Sequence, residues 1–145
     1  MKYQSEIEID LPRDRVIELF DNKDNLKHWQ EGFVSLEHLS GTQGNVGAKS
    51  KIKYKMGRRN IEMTETILRK NLPEEFSFQF EAKGVWNEVE NYFEIIDSKR
   101  TKWIIKNDFR GKGMITVMMF LMPGMFKKQT LKFMDAFKSF AENQN

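Results

Sequence analysis

Between Lys49 and Ala82 the chain alternates apolar and polar residues, and the alternation keeps its phase through two turns. Ser50, Ile52, Tyr54 and Met56 share one side, with Lys49, Lys51, Lys53 and Lys55 on the other. Beyond Gly57-Arg58 the same side continues as Ile61, Met63, Glu65 and Ile67, and beyond Leu72-Pro73 as Phe76, Phe78, Phe80 and Ala82. A period of two means strands with one wet face and one buried face. The buried face is aromatic and sulfur-rich, so this antiparallel sheet has to wrap something apolar. Two occupants satisfy that demand: a helix of the protein itself, or a helix together with a guest molecule.

The flanking segments extend the pattern. Tyr3, Ser5, Ile7 and Ile9 alternate with Gln4, Glu6 and Glu8 in a first strand. Asp10 is placed to cap a helix and Pro12 suits its first turn, where a missing N–H costs nothing. Val16, Ile17, Leu19 and Phe20 give that helix an apolar face, and a short helix over Lys23–His28 runs into Trp29. A strand follows, with Phe33, Ser35, Glu37 and Leu39 opposite Val34, Leu36 and His38, and then a Gly-rich turn from Gly41 to Gly47. Lys83-Gly84 makes a hairpin. Val85, Asn87, Val89, Asn91, Phe93 and Ile95 continue the buried face after it, and Trp103, Ile105, Asn107 and Phe109 belong to the last strand. Counted across the tight turns, Tyr54 falls opposite Ile61, Ile67 near Phe78, and Phe80 opposite Asn87. From Met114 to Glu142 the spacing is helical with a break at Pro123-Gly124, and Phe126, Thr130, Phe133, Met134, Phe137, Phe140 and Ala141 form one face. The order predicts an α+β fold in one domain over residues 1–145: a seven-stranded curved antiparallel sheet wrapped around a long C-terminal helix, with two short helices between strands 1 and 2.

Composition excludes several classes. The 145 residues carry 24 basic and 21 acidic side chains, well interspersed, for a net charge of +3. A nucleic-acid binder concentrates its cations on one element. The densest run here, Lys49 to Lys55, reads as the wet face of a strand, so no nucleic-acid partner is expected. With no cysteine, disulfides and thiolate metal sites are excluded. His28 and His38 stand ten residues apart without a carboxylate cluster, so no metal is expected. No phosphate-binding glycine loop, nucleophile elbow or His-Glu-x-x-His occurs, and no cofactor is implied. The opening MKYQSEIEID lacks the apolar core of a signal peptide, and the longest apolar run, Met114 to Met122, is nine residues where a bilayer span needs about 20. A soluble, cytoplasmic protein is expected.

An interior filled by protein alone should be apolar and close-packed. The inward positions here include Glu65, Asn87, Asn91, Asn107, Tyr54, Ser5 and Ser50 among Met56, Met63, Phe76, Phe78, Phe80, Phe93 and Trp103. Leaving such polar groups buried and unpaired costs about 1–3 kcal/mol each. Mostly apolar walls with a few convergent polar groups are the lining expected of a small-molecule site, and methionines let it re-pack around different shapes. From the helical segment, Met118, Met122, Phe126 and Met134 complete the candidate lining. The alternative is a satisfied polar network inside a closed core. Met114–Met122, apolar on all sides, reads as core, as cavity wall or entrance, or, least favoured, as a membrane-contacting lid near Lys127 and Lys128. Glu65 is the one weak candidate for acid–base chemistry, since burial among Met63, Phe78 and Phe80 would raise its pKa; Tyr54 or Asn107 would then hold an oxygen.

Three stretches resemble the START-like (SRPBCC) superfamily, which includes the birch-pollen-allergen fold, polyketide cyclases/dehydrases and lipid-transport proteins. They are EIEIDLPRDRVIELFDNKDNLKHWQEGF, the six-strand meander, and the closing KKQTLKFMDAFKSFAE. The resemblance covers nearly the whole chain, but its motifs are structural. It implies a helix-grip fold with a cavity for an apolar molecule. Binding or transport of a small hydrophobic molecule (lipid-like, polyketide-like or aromatic) is the leading expectation. A cyclase/dehydratase-type enzyme using Glu65 and a co-chaperone-like interaction module are the alternatives. Neither monomer nor dimer is demanded.

Overall fold

Alternation and tight turns build the sheet. In the computed structural model, which describes residues 1–144, the strands are β1 (Lys2–Ile9), β2 (Phe33–Ser40), β3 (Lys49–Met56), β4 (Arg59–Asn71), β5 (Glu75–Ala82), β6 (Val85–Asp97) and β7 (Arg100–Gly111). All pairings are antiparallel, in the order β1-β7-β6-β5-β4-β3-β2. Consecutive hairpins carry the chain from β2 to β7, and β1 closes the far edge beside β7. The register agrees with the sequence at each counted pair: Tyr54 faces Ile61, Ile67 faces Phe78, and Phe80 faces Asn87.

Three departures from strict alternation matter for the interior. In β2 the register shifts between Phe33 and Ser35, so Phe33 pairs with Tyr54 while Leu36 pairs with Ile52. A bulge adds one residue and flips everything after it. Leu36, not its neighbours in the expected Phe33–Leu39 set, therefore turns inward, and Val34 and Leu39 are exposed. In β4 a shift between Ile67 and Arg69 sends Arg69 to the convex face and pairs Lys70 with Phe76. In β6 a shift follows Ile95, which is exposed rather than part of the buried face.

Between β1 and β2 lie α1 (Arg13–Phe20), a 3-10 turn (Lys23–Asn25) and α2 (Leu26–Trp29). Asp10 does not cap α1. The cap position is Pro12, whose carbonyl accepts from the Arg15 and Val16 amides at 3.1 Å each, while the Asp10 amide donates to Glu142 at 2.6 Å. After α2 the chain passes Gly32 with φ +75, where a Cβ would sit 2.5 Å from the Lys55 carbonyl oxygen. Only glycine allows β3 to approach that closely.

The C-terminal part forms α3 (Met114–Leu121) and α4 (Pro123–Glu142), broken where Pro123 starts the second helix. The Tyr3 hydroxyl pairs with Thr130 Oγ1 at 2.7 Å and donates to the Phe126 carbonyl at 3.1 Å, anchoring α4 along β1. Met134, Phe137 and Ala141 face inward and meet Ile9, Val16, Phe93, Trp103 and Ile105 in one solid cluster. Phe20 joins it edge-on, with ring centroids 5.2 Å from Phe93, 5.6 Å from Trp103 and 5.7 Å from Phe137. The helices thus fill the β1-β7-β6 half of the concave face.

Candidate functional site

The other half is not filled. Between the concave surface of β3–β5 and the α1–α2 segment lies an open cavity of about 570 Å³. Phe76, Phe78 and Phe80 of β5 form its floor, the first two stacked with centroids 4.4 Å apart. Ala48, Ser50, Glu65 and Ile67 line the β3–β4 side. Phe20, Leu26, Trp29 and Gln30 form the facing wall, and α4 contributes Phe133 alone. The space therefore lies under α1–α2 more than under the C-terminal helix.

Trp29 divides cavity from core. Its ring meets Phe133 at 4.6 Å and Phe137 at 5.0 Å on the core side, and its buried indole N–H has no hydrogen-bond partner among the described residues. At the rim Lys70 acts as a strap. Its ammonium donates to the Gly44 carbonyl at 2.9 Å, lies 3.5 Å from Asp21 and sits 5.0 Å above the Phe76 ring. One side chain thereby ties β4 to the end of α1 and to the β2–β3 loop.

Glu65 is the chemical centre of the lining. Register places it between Ser50 of β3 and Phe80 of β5. Among the described residues it has no ion pair or side-chain hydrogen bond. Burial pushes its carboxyl up to about 7 from an ordinary 4.5, because removal from water penalises the anion. Burial raises the nearby Tyr54 phenol too, with the Glu65 charge adding to the effect. Tyr54 does not reach the cavity but donates to Gln30 Oε1 at 2.7 Å, fixing a side chain that does.

Of the positions read from sequence, Glu65, Phe76, Phe78, Phe80 and Asn91 come together around the cavity. Asn91 is also committed to the protein: its amide donates to the Phe76 carbonyl at 3.0 Å, and its oxygen accepts from the Trp103 indole at 3.0 Å. Phe93, Trp103 and Met134 belong to the solid core. Met56 and Met63 lie on the concave face of β3 and β4, outside the lining. Asn87 and Asn107 lie toward the α3 end of β6 and β7, where Asn87 Oδ1, Asn107 Nδ2 and Ser5 Oγ are buried without partners. Phe126 packs on Phe109 at 5.1 Å, whereas Met118 and Met122 are exposed.

The lining residues not read as such are Phe20, Trp29, Gln30, Leu36, Ala48, Lys70 and Phe133 among others. Phe20, Trp29 and Phe133 carried a signal as apolar positions of helices. Leu36 and Lys70 carried none, because each owes its inward direction to a bulge. A second depression of similar volume lies over the convex face, lined by Lys2, Gln4, Glu88, Glu90, Lys106 and Arg110 among others. Its mixed charges and wet lining distinguish it from a site for an apolar molecule. Among the described residues, no group of three or more His, Asp or Glu side chains is placed to hold a metal, and no helix is long and apolar enough to cross a membrane.

This architecture is the helix-grip fold of START-like proteins. Ara h 8.0201 superposes with a TM-score of 0.75 over 99% of both chains at 12% identity. The Zhui aromatase/cyclase of a Streptomyces species gives 0.77 over 98% of this chain and 93% of its own, at 14% identity. Norcoclaurine synthase from Thalictrum flavum, solved with dopamine and hydroxybenzaldehyde, gives 0.74 over 100% of this chain and 88% of its own, at 13% identity. At these identities the likeness defines the fold. No protein-family model and no curated protein sequence matches the chain.

Proposed function

We propose that the protein binds a small, largely apolar molecule in the cavity between β3–β5 and α1–α2. The observation that carries this reading is the 570 Å³ space itself, floored by three phenylalanines and holding one desolvated acid, Glu65. The volume falls within the range of about 300–1,000 Å³ typical of small-molecule sites. Apolar burial, near 25 cal/mol per Å², supplies the driving force before ordering costs are subtracted. The Glu65 carboxyl orients a polar end of the guest: protonated it donates a hydrogen bond, and ionised it accepts one or pairs with a cation.

Native mass spectrometry of the purified protein, searching for a co-purifying mass, tests occupancy, and titration with an apolar fluorescent probe tests the cavity. Ser50→Phe, which places a ring in the space, is expected to abolish probe binding while leaving the far-UV spectrum unchanged. Undiminished binding in that variant would remove the cavity from consideration.

A second reading is supported by the carboxyl poised near 7, where a general acid or base works best at neutral pH. The guest is then a substrate, and an aromatase/cyclase and a synthase share this fold. Glu65→Gln separates the two: turnover of an identified guest that persists in this variant eliminates Glu65 as the catalyst, whereas loss of turnover with retained binding supports the enzyme.

A further inference from the structure

Among the described residues, seven of the eleven exposed large hydrophobic side chains lie between Met114 and Met125, on α3 and the start of α4, away from the cavity. Phe120 is 84% exposed, Met114 73% and Leu121 68%, with Val117, Met118, Met122 and Met125 also at the surface. Only Met119 is buried, and the helix is held down where Ile115 lies over Gly111, at which any side chain would collide with the Ile115 Cγ2 2.5 Å away. None of these residues lines the cavity. A contiguous patch of this kind marks an interaction site.

The charges around it select the partner. From Phe109 to Met134 the chain contains no acidic residue but five basic ones. Arg110 is paired with Asp108 and Lys132 with Glu31, whereas Lys112, Lys127 and Lys128 have no carboxylate partner among the described residues. Lys83 joins them, because the carbonyl of Gly84 at the β5–β6 tip accepts from the Lys112 amide at 3.0 Å. Greasy side chains ringed by unpaired ammonium groups are the arrangement by which a helix lies in the interface of an anionic membrane. A second copy of the chain fits poorly, since two-fold pairing of this patch would set lysines against lysines.

We infer that α3 and the start of α4 form a reversible docking surface for anionic lipid bilayers, inserting Phe120 and Leu121 among the acyl chains while Lys112, Lys127 and Lys128 meet the headgroups. The attachment is peripheral, because an eight-residue helix is about 12 Å long and lies in one leaflet.

Co-sedimentation of the full chain with vesicles tests this, using phosphatidylcholine alone and phosphatidylcholine mixed with phosphatidylserine. The expected result is binding to the mixed vesicles that weakens as salt is raised, and little binding to phosphatidylcholine alone. Lys127→Glu/Lys128→Glu is expected to weaken binding by on the order of tenfold or more, and Phe120→Glu to abolish it. All three positions are exposed, so thermal unfolding should be unchanged, and apolar probe binding in the cavity should be retained. Absence of binding to phosphatidylserine vesicles at low salt would overturn the inference, as would undiminished binding by Phe120→Glu. A concentration-dependent dimer in sedimentation equilibrium that Phe120→Glu dissociates would assign the patch to a second copy instead and equally overturn it.

Discussion

Glu65 ionises at a cost to the fold. Its carboxyl titrates near 7 in the folded protein and near 4.5 when exposed, so between those values the native state holds a proton that the unfolded chain has released. Stability must then fall as pH rises from about 4.5 to about 7, and level off above. At 1.36 kcal/mol per unit, a shift from 4.5 to about 7 amounts to about 3 kcal/mol as an upper bound. The other carboxylates titrate in both proteins, so the informative quantity is the difference between Glu65→Gln and the wild type. By urea unfolding, that difference is expected to be small at pH 4 and to grow in favour of the variant up to pH 8. A pH-independent difference would mean that Glu65 is solvated. The residue was legible from sequence because an acid at an inward position of a period-two strand has to face the interior. Lys70 was not, since strict alternation assigns its inward place to Arg69, and a single inserted residue reverses the two.

At the level of elements, the two halves of the concave face differ in what a side chain touches. Phe137 of α4 is wholly buried and surrounded by Phe20, Trp29 and Trp103 rings at 5.0–5.7 Å. Phe78 of β5 stacks on Phe76 and otherwise faces the open space. Truncating Phe137 to alanine opens a new void in close-packed surroundings and is expected to cost about 3–5 kcal/mol. Phe78→Ala only enlarges a space that already exists and is expected to cost roughly 1–2 kcal/mol, the transfer part alone. Chemical denaturation of both variants checks the contrast; equal losses would mean that the cavity is closed in solution. Sequence alternation tells which face a residue takes but not how deep along the strand the helices land. That is why Phe93 and Trp103 read the same as Phe76 and Phe78, yet the first pair is sealed under α1 and α4 while the second pair borders the cavity. The pattern of α4 was readable in its own right, with Met134, Phe137 and Ala141 buried at the expected spacing. What the α1–α2 segment would face was not, because its direction is set by long-range contacts such as Trp29 on Phe133 and His28 stacked on Phe140 at 5.8 Å.

For the whole molecule these differences add up to a gradient of stability across one sheet. The β1-β7-β6 half carries the main cluster, α4 and the Tyr3–Thr130 anchor. The β2–β3 edge is held by β4, by the Tyr54–Gln30 hydrogen bond and by the Lys70 strap, over a smaller buried cluster of Ala48, Ile67 and Phe76. Local opening follows buried contact, so the weaker half should open without the stronger one. On the proposed reading, such opening would also admit a guest past a rim tied by one lysine. Amide hydrogen exchange is therefore expected to be slowest in β6, β7 and the Met134–Ala141 part of α4, and faster by on the order of tenfold or more in β2 and β3. A guest that binds the closed arrangement alone would stabilise it by mass action. Adding one should slow exchange in the second group and leave the first almost unchanged. Uniform slowing across the sheet would show instead that the protein opens only by global unfolding, and that the cavity does not fill through motion of the β2–β3 edge.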